Sequence, residues 1–226
     1  MRRVLSFCLM LIALNATYAQ SFSDRFDEAF ATNDVAAQWQ ALLDWQLSAP
    51  EDVNLFIARY NYYANRAMAQ NPYSKSLADS GLYVIEEGIV RYPDRLDLRF
   101  GKTFFLGELG RWDAFADEIM RLLDYSDEIA HQWVFPNVQV GLKELVMEGV
   151  EDYLLTMRET LPYTYPLAAS DSAMVSRIRR VARRTVQLFP NDAVALRLLG
   201  ETYVGEDDER ASKYLNRAKA LQSNGQ

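Results

Sequence analysis

Hydrophobic residues recur along most of the chain at three- and four-residue steps, the spacing of an α-helix that buries one face. The segment 111–124 shows this clearly, with apolar positions Trp112, Phe115, Ile119 and Leu122. We expect its charged positions to face solvent; they are Asp113, Asp117, Glu118 and Arg121. No convincing run of alternating β-branched residues with hairpin turn sequences is seen. The pattern predicts an all-α protein.

Proline, glycine and capping residues divide this pattern into separate helices. We predict helices over 34–48, 50–71, 74–91, 94–109, 111–124, 138–161 and 171–189, followed by two more within 192–221. Gly110 is expected to turn the chain, because glycine accepts the left-handed backbone that a helix end requires. In 74–91 the expected buried row is Leu77, Leu82, Ile85 and Ile89.

Two interruptions fall between residues 125 and 166. We place a loop at 131–136, and the proline-marked, tyrosine-rich stretch 161–166 is a candidate hinge. The composition shows no shift that demands two domains. We therefore expect one helical domain over residues 20–226.

The best-defined helix pair lies in 190–221. Its first helix carries Leu196, Leu199, Gly200 and Tyr203, and its second carries Ala211, Leu215 and Ala218. This spacing resembles the tetratricopeptide repeat (TPR), and residues 91–126 resemble a weaker unit through Phe100-Gly101, Phe104 and Gly110-Arg111-Trp112-Asp113. The resemblance implies an α-solenoid of antiparallel helix pairs, a tetratricopeptide-like superhelix. We expect this solenoid to be irregular, because 43 residues separate Pro50 from Pro93, whereas such a repeat has about 34. It also implies binding of other proteins.

The chain also looks similar to exported TPR-like proteins of Bacteroidetes-type bacteria. The phrases that carry this resemblance are Leu55-Phe56-Ile57-Ala58, Asn61-Tyr62-Tyr63, Tyr92 to Lys102, and Leu123-Asp124-Tyr125-Ser126. They imply the fold and a periplasmic location, but no activity.

The first nineteen residues have the layout of a secretory signal peptide. Arg2 and Arg3 precede an apolar run from Val4 to Leu14, and Thr17-Tyr18-Ala19 is a small-x-small cleavage site. The run is shorter than the ~20 apolar residues of a spanning helix. We expect cleavage after Ala19, a mature chain that does not span a membrane, and a periplasmic or secreted location.

Cleavage would make the chain more acidic and remove its cysteine. The 24 basic residues would fall to 22 against 31 acidic ones, a net charge of −9. A negative net charge disfavours nucleic acid as a partner, because a protein that binds phosphates needs a basic face. Cys8 would leave with the signal peptide, so we expect no disulfide and a fold stabilised by packing alone.

The residues that would support catalysis or metal binding are sparse. His131 is the single histidine of the chain, and no Gly-x-Ser-x-Gly nucleophile motif occurs. The acidic run 206–209 lacks the alternating ligands and central glycine of a calcium loop and is better explained as charge at a helix start. We therefore expect no catalytic residue, metal or cofactor.

A cluster of arginines stands out in an acidic protein. Helical spacing places Arg177, Arg180 and Arg184 near one face. One interpretation is a solvated face paired with acids of a neighbouring helix. The other is a docking patch for an acidic partner, or for an anionic glycan or lipid headgroup.

Aromatic residues are dense between Trp39 and Tyr92, and most are expected to fill the core. Adjacent Tyr62 and Tyr63 cannot both face inward from one helix. We expect one of them to line a groove with Asn61 and Asn65, which suits an extended peptide or a sugar ring.

These observations favour a non-enzymatic exported protein that binds a protein or peptide as a scaffold or adaptor. The alternative is glycan binding, or an accessory role in a nutrient-uptake assembly of the cell envelope. A hydrolase that relies on carboxylates is a third hypothesis and the least favoured, because no local pattern selects two of the 31 acids as a catalytic pair.

Overall fold

The computed structural model describes residues 21–129, 134–135, 142–162 and 171–224. These residues form α-helices and no strand, and a bridge of parallel type pairs Arg95 with Val134. The helices are α1 (Phe22–Ala31), α2 (Val35–Ser48), α3 (Val53–Met68), α4 (Lys75–Arg91), α5 (Leu96–Glu108), α6 (Trp112–Ile129), α7 (Leu142–Glu159), α8 (Ser172–Leu188), α9 (Ala193–Glu201) and α10 (Asp208–Asn224). The predicted all-α repeat fold is confirmed.

The chain divides into two compact units, and the boundary falls within α5, between Leu98 and Arg99. Unit 1 contains α1 to α4, the start of α5 and residues 134–135. Unit 2 contains the rest of α5 and α6 to α10. None of the described helices has the length and apolar character needed to cross a membrane.

Polar caps set where the first helices begin. The Ser21 hydroxyl accepts from the Asp24 amide at 3.1 Å, and the Asp24 carboxylate accepts from the Ser21 amide at 3.0 Å. Asp34 accepts from the amides of Ala36 and Ala37. Such caps satisfy amides that have no partner inside a helix. The start of α2 was predicted from this logic, whereas α1 was missed although its capping box is readable in the sequence.

Unit 1 has a core formed by its first three helices. Its buried members are Phe26, Ala41, Leu42, Trp45, Leu55, Ala58 and Tyr62. In α4 the buried row is Ala78, Gly81, Val84, Ile85, Gly88 and Ile89. The expectation that Leu77 and Leu82 belong to it is wrong, since both are only half-buried. Small residues occupy the row because the helices approach closely: a Cβ at Gly88 would lie 3.1 Å from the Cβ of Phe56.

Unit 2 contains the helix pair that most resembles a TPR. The side chain of Leu215 and the backbone of Ala211, both on α10, lie against Gly200 of α9. A Cβ at Gly200 would come within 2.8 Å of Leu215 Cγ. Gly110 turns the chain between α5 and α6 with a φ of 65°, as predicted.

The structure corrects the environment of Glu118. The sequence pattern placed it on the solvent side of α6, but Glu118 is 1% exposed. It accepts hydrogen bonds from Lys102 at 2.8 Å and from Arg121 at 2.9 Å, and Arg99 lies at 3.4 Å. The row Phe115, Ile119 and Leu122 is buried as expected. Glu118 is buried next to this row because cations of α5 neutralise the charge of its carboxylate.

Several sequence predictions fall outside the described residues. They are the signal peptide at 1–19, residues 131–133 and 136 of the predicted loop, the first part of the helix predicted over 138–161, and residues 163–166 of the candidate hinge. They remain predictions.

Candidate functional site

A cleft of about 310 Å³ lies between α3 and α4 in unit 1. It is lined by Arg59, Tyr63, Asp79, Ser80, Tyr83 and Val84. Helical spacing explains this set, because residues four apart share a face. Arg59 and Tyr63 are such a pair on α3, and Asp79 with Tyr83 is such a pair on α4. We call these six residues the tyrosine cleft.

The tyrosine cleft combines an apolar body with polar residues. Val84 is buried, whereas Tyr83 is 69% exposed and presents most of its ring to solvent. Arg59 supplies a cation, Asp79 an anion and Ser80 a hydroxyl. Ser80 Oγ donates to the carbonyl oxygen of Ser76 at 2.9 Å. Apolar surface with a few oriented polar groups is typical of ligand sites.

Tyr62 and Tyr63 have different surroundings. Tyr62 is buried, and its hydroxyl accepts from Arg66 at 2.6 Å while the guanidinium carbon lies 5.0 Å from its ring centroid. Its ring lies 5.4 Å from that of Trp39 and 5.4 Å from that of Tyr63, which it meets edge-on. Tyr63 instead lines the tyrosine cleft. An aromatic row therefore runs from α2 through α3 to the cleft.

The other candidates on α3 lie elsewhere. Asn61 is half-buried and Asn65 is exposed, and neither belongs to the cleft lining. Sequence analysis missed Arg59, Asp79, Ser80 and Val84. The i−4 spacing from Tyr63 would have identified Arg59. The α4 residues depend on how two helices pair, which periodicity along one helix does not reveal.

The arginine cluster of α8 pairs with acids of α6. Arg177 donates to Asp113 at 2.6 Å, Arg180 to Asp117 at 2.7 Å and Arg184 to Asp124 at 2.9 Å. The hydrogen bond from Arg177 holds the pKa of Asp113 below its usual value. This pairing is the one described by the first interpretation of the cluster, a solvated face paired with acids of a neighbouring helix.

The described residues contain no group of three or more histidine, cysteine, aspartate or glutamate side chains arranged to hold a metal ion. The lining of the tyrosine cleft supplies ring surface, hydrogen-bonding groups and charged groups of both signs.

No protein-family model and no curated protein matches the chain. The solved structures that match the chain include the following two. The crystal structure of MamA, a TPR-like helical protein, has a TM-score of 0.49 and 11% identity over 95% of this chain and 98% of its own. The structure described as MamA MSR-1 C2 has a TM-score of 0.46 and 10% identity over 91% of this chain and 97% of its own. Likeness at this level carries no information on activity or partners.

Proposed function

We propose that this protein is an exported scaffold or adaptor without catalytic activity, and that its tyrosine cleft binds an extended segment of a partner protein. The observation that carries the proposal is the position of Tyr63 and Tyr83, on two different helices, at one cleft. Tyrosine anchors dominate many protein interfaces because they bury a large ring and still form a hydrogen bond.

The size and chemistry of the cleft suit a peptide segment. A volume of about 310 Å³ is at the small end of ligand pockets, enough for one or two side chains of a bound chain. Arg59 can donate to a backbone carbonyl of the ligand, and Asp79 can accept from a backbone amide. The Ser80 hydroxyl directs its proton to the helix backbone rather than to a general base, which favours binding over catalysis.

A sugar ring is the second candidate ligand. Tyr63 and Tyr83 offer ring faces for stacking, and the polar residues of the cleft match sugar hydroxyls. This alternative would place the protein in a glycan-binding or nutrient-uptake assembly of the cell envelope. The acidic net charge of −7 makes nucleic acid an unsuitable partner for either form of the proposal.

Site-specific photocrosslinking in cells tests the proposal. A benzoylphenylalanine at position 83 would be compared with one at position 90, because Val90 is also exposed and lies two turns further along α4, outside the cleft lining. We expect a discrete protein adduct from position 83 and little from position 90. Equal adducts from both positions would contradict a specific cleft.

Affinity measurements with the crosslinked partner complete the test. Tyr63→Ala and Tyr83→Ala should each weaken binding about tenfold or more, the usual effect of removing an interface anchor. Val90→Ala is the matched control and should bind as the wild type does. Wild-type affinity of both tyrosine variants would refute the peptide proposal. A sugar ligand would be favoured by a different pair of results. Position 83 would give no protein adduct, and the two tyrosine variants would lose binding to an isolated envelope glycan.

A further inference from the structure

Helices α7 and α9 of unit 2 meet at two charged contacts of opposite character. At one end, Arg158 donates to Glu201 at 3.2 Å, which joins the helices by an ion pair. At the other end, the carboxyl groups of Glu151 and Asp192 lie within hydrogen-bonding reach of each other. Two carboxylates at such a distance repel unless a proton lies between them.

Asp192 has an unfilled hydrogen-bonding site. It is the N-cap of α9, is 4% exposed, and accepts from the Ala195 amide through Oδ1 at 2.7 Å. Its second oxygen, Oδ2, is buried and has no hydrogen-bond donor within the part of the chain that the structure describes. Leaving a buried acceptor unpaired is costly. A proton on Glu151 would supply the missing donor.

The electrostatic surroundings of Glu151 favour retention of that proton. Burial raises its pKa to about 7 from an ordinary value of 4.5, and the negative charge of Asp192 adds to the effect. Asp152 and Glu148, on the same helix, act in the same direction. Burial also raises the pKa of Asp192, against the opposing effect of the Ala195 amide.

Charged groups on the neighbouring helices are directed to other partners. Lys143 of α7 lies over the ring of Phe189 at 5.3 Å, and Arg217 of α10 donates to Asn191 at 3.2 Å. The arginines of α8 point toward α6 or toward the end of α9; their partners are Asp113, Asp117, Asp124, Tyr203 and Glu206. Hydrogen bonding within the carboxyl pair is therefore the direct means of satisfying Asp192.

We propose that Glu151 and Asp192 share one proton across the interface of α7 and α9, and that this proton-sharing pair fastens the C-terminal helices to unit 2 in a pH-dependent way. Loss of the proton leaves a half-buried negative charge on Glu151 beside the buried charge of Asp192. The helices α9 and α10 then open more readily.

The direction of the pH effect follows from the two states of Glu151. When α9 opens, Glu151 returns toward its ordinary pKa of 4.5, whereas the closed pair holds the proton up to about pH 7. Between these values the closed state binds more protons than the open state, so closure weakens as pH rises. The stabilisation is complete below about pH 4.5 and lost above about pH 7.

Hydrogen exchange of the whole chain tests this directly. Protection of the α9 and α10 amides would be compared with that of the α4 amides in the same sample at pH 5.5 and pH 8, so that intrinsic exchange rates cancel. We expect the relative protection of α9 and α10 to fall about tenfold at pH 8, less than the full pKa shift would give because Glu151 is partly solvated. An unchanged ratio would overturn the proposal.

Two variants identify the source of the effect. Glu151→Gln offers Asp192 a permanent amide donor and should keep protection high at both pH values. Asp192→Asn keeps a good N-cap and should reduce the pH dependence without abolishing it, because Glu151 loses the neighbouring charge but stays partly buried. Asp34→Asn, the same change at the cap of α2, is the matched control. In this variant the relative protection of α9 and α10 should still fall at pH 8. A pH dependence that persists in Glu151→Gln would refute the pair.

A carbon-13 titration of the Glu151 carboxyl in the wild type gives a readout that does not depend on whether a variant folds. A midpoint near pH 7 supports the proton-sharing pair. A midpoint near 4.5 overturns it.

Discussion

At the scale of single residues, Glu118 shows how a charged side chain comes to be buried. Its carboxylate lies among Arg99, Lys102 and Arg121, and the guanidinium of Arg99 also stacks on the ring of Tyr125 at 4.2 Å. Burying a carboxylate is unfavourable unless cations and hydrogen bonds replace its water. The residue therefore joins α5 and α6 electrostatically at a point where apolar residues would otherwise be expected.

Replacing Glu118 by glutamine should destabilise the protein by about 3 kcal/mol, because it removes the charge that offsets buried cations while keeping the shape of the side chain. Urea unfolding followed by circular dichroism measures this loss. Asp117→Asn is the control, since Asp117 pairs with Arg180 at the surface and should cost less than about 1 kcal/mol. Equal losses in the two variants would show that the Glu118 cluster contributes no more than a surface pair.

At the scale of helix pairs, glycine decides how closely two helices approach. Gly200 of α9 faces the Leu215 side chain and the carbonyl oxygen of Ala211, which would lie 3.2 Å from a Cβ at this position. The atoms nearest to a Cβ at Gly107 of α5 belong to the ring of Phe115, the first of them at 3.1 Å. A ring can shift by a few tenths of an ångström, whereas the backbone of α10 cannot move without moving the helix.

Alanine at these two positions should therefore have different effects. Gly→Ala gains about 1 kcal/mol of helix propensity in both cases. Overpacking against α10 should outweigh this gain, so Gly200→Ala should lose about 1 to 2 kcal/mol. Gly107→Ala should change stability by less than about 1 kcal/mol. Thermal or urea unfolding of both variants makes the comparison, and a Gly200→Ala protein as stable as the wild type would disprove close packing of α9 on α10.

At the scale of the whole molecule, the sequence predicted features that depend on neighbouring residues and missed those that depend on distant ones. The starts of α2 and α8 follow from Asp34 and Asp171, because a cap acts on amides of its own helix. Of the tyrosine cleft, the sequence singled out only Tyr63, because the α4 residues that complete the lining are brought there by helix pairing. Glu118 and the Glu151–Asp192 pair were missed for the same reason.

Export is a whole-molecule prediction that connects the N-terminal sequence with the first described helix. Ser21 caps α1 through its own backbone and side chain, so cleavage after Ala19 would leave this cap complete. We expect protein purified from the periplasmic or secreted fraction to begin at Gln20, and Ala19→Arg to block processing because the cleavage site requires a small residue. Gln20→Ser, just beyond the site, is the control and should be processed normally. N-terminal sequencing and cell fractionation measure both outcomes, and a wild-type chain that retains Met1 in the cytoplasm would disprove export.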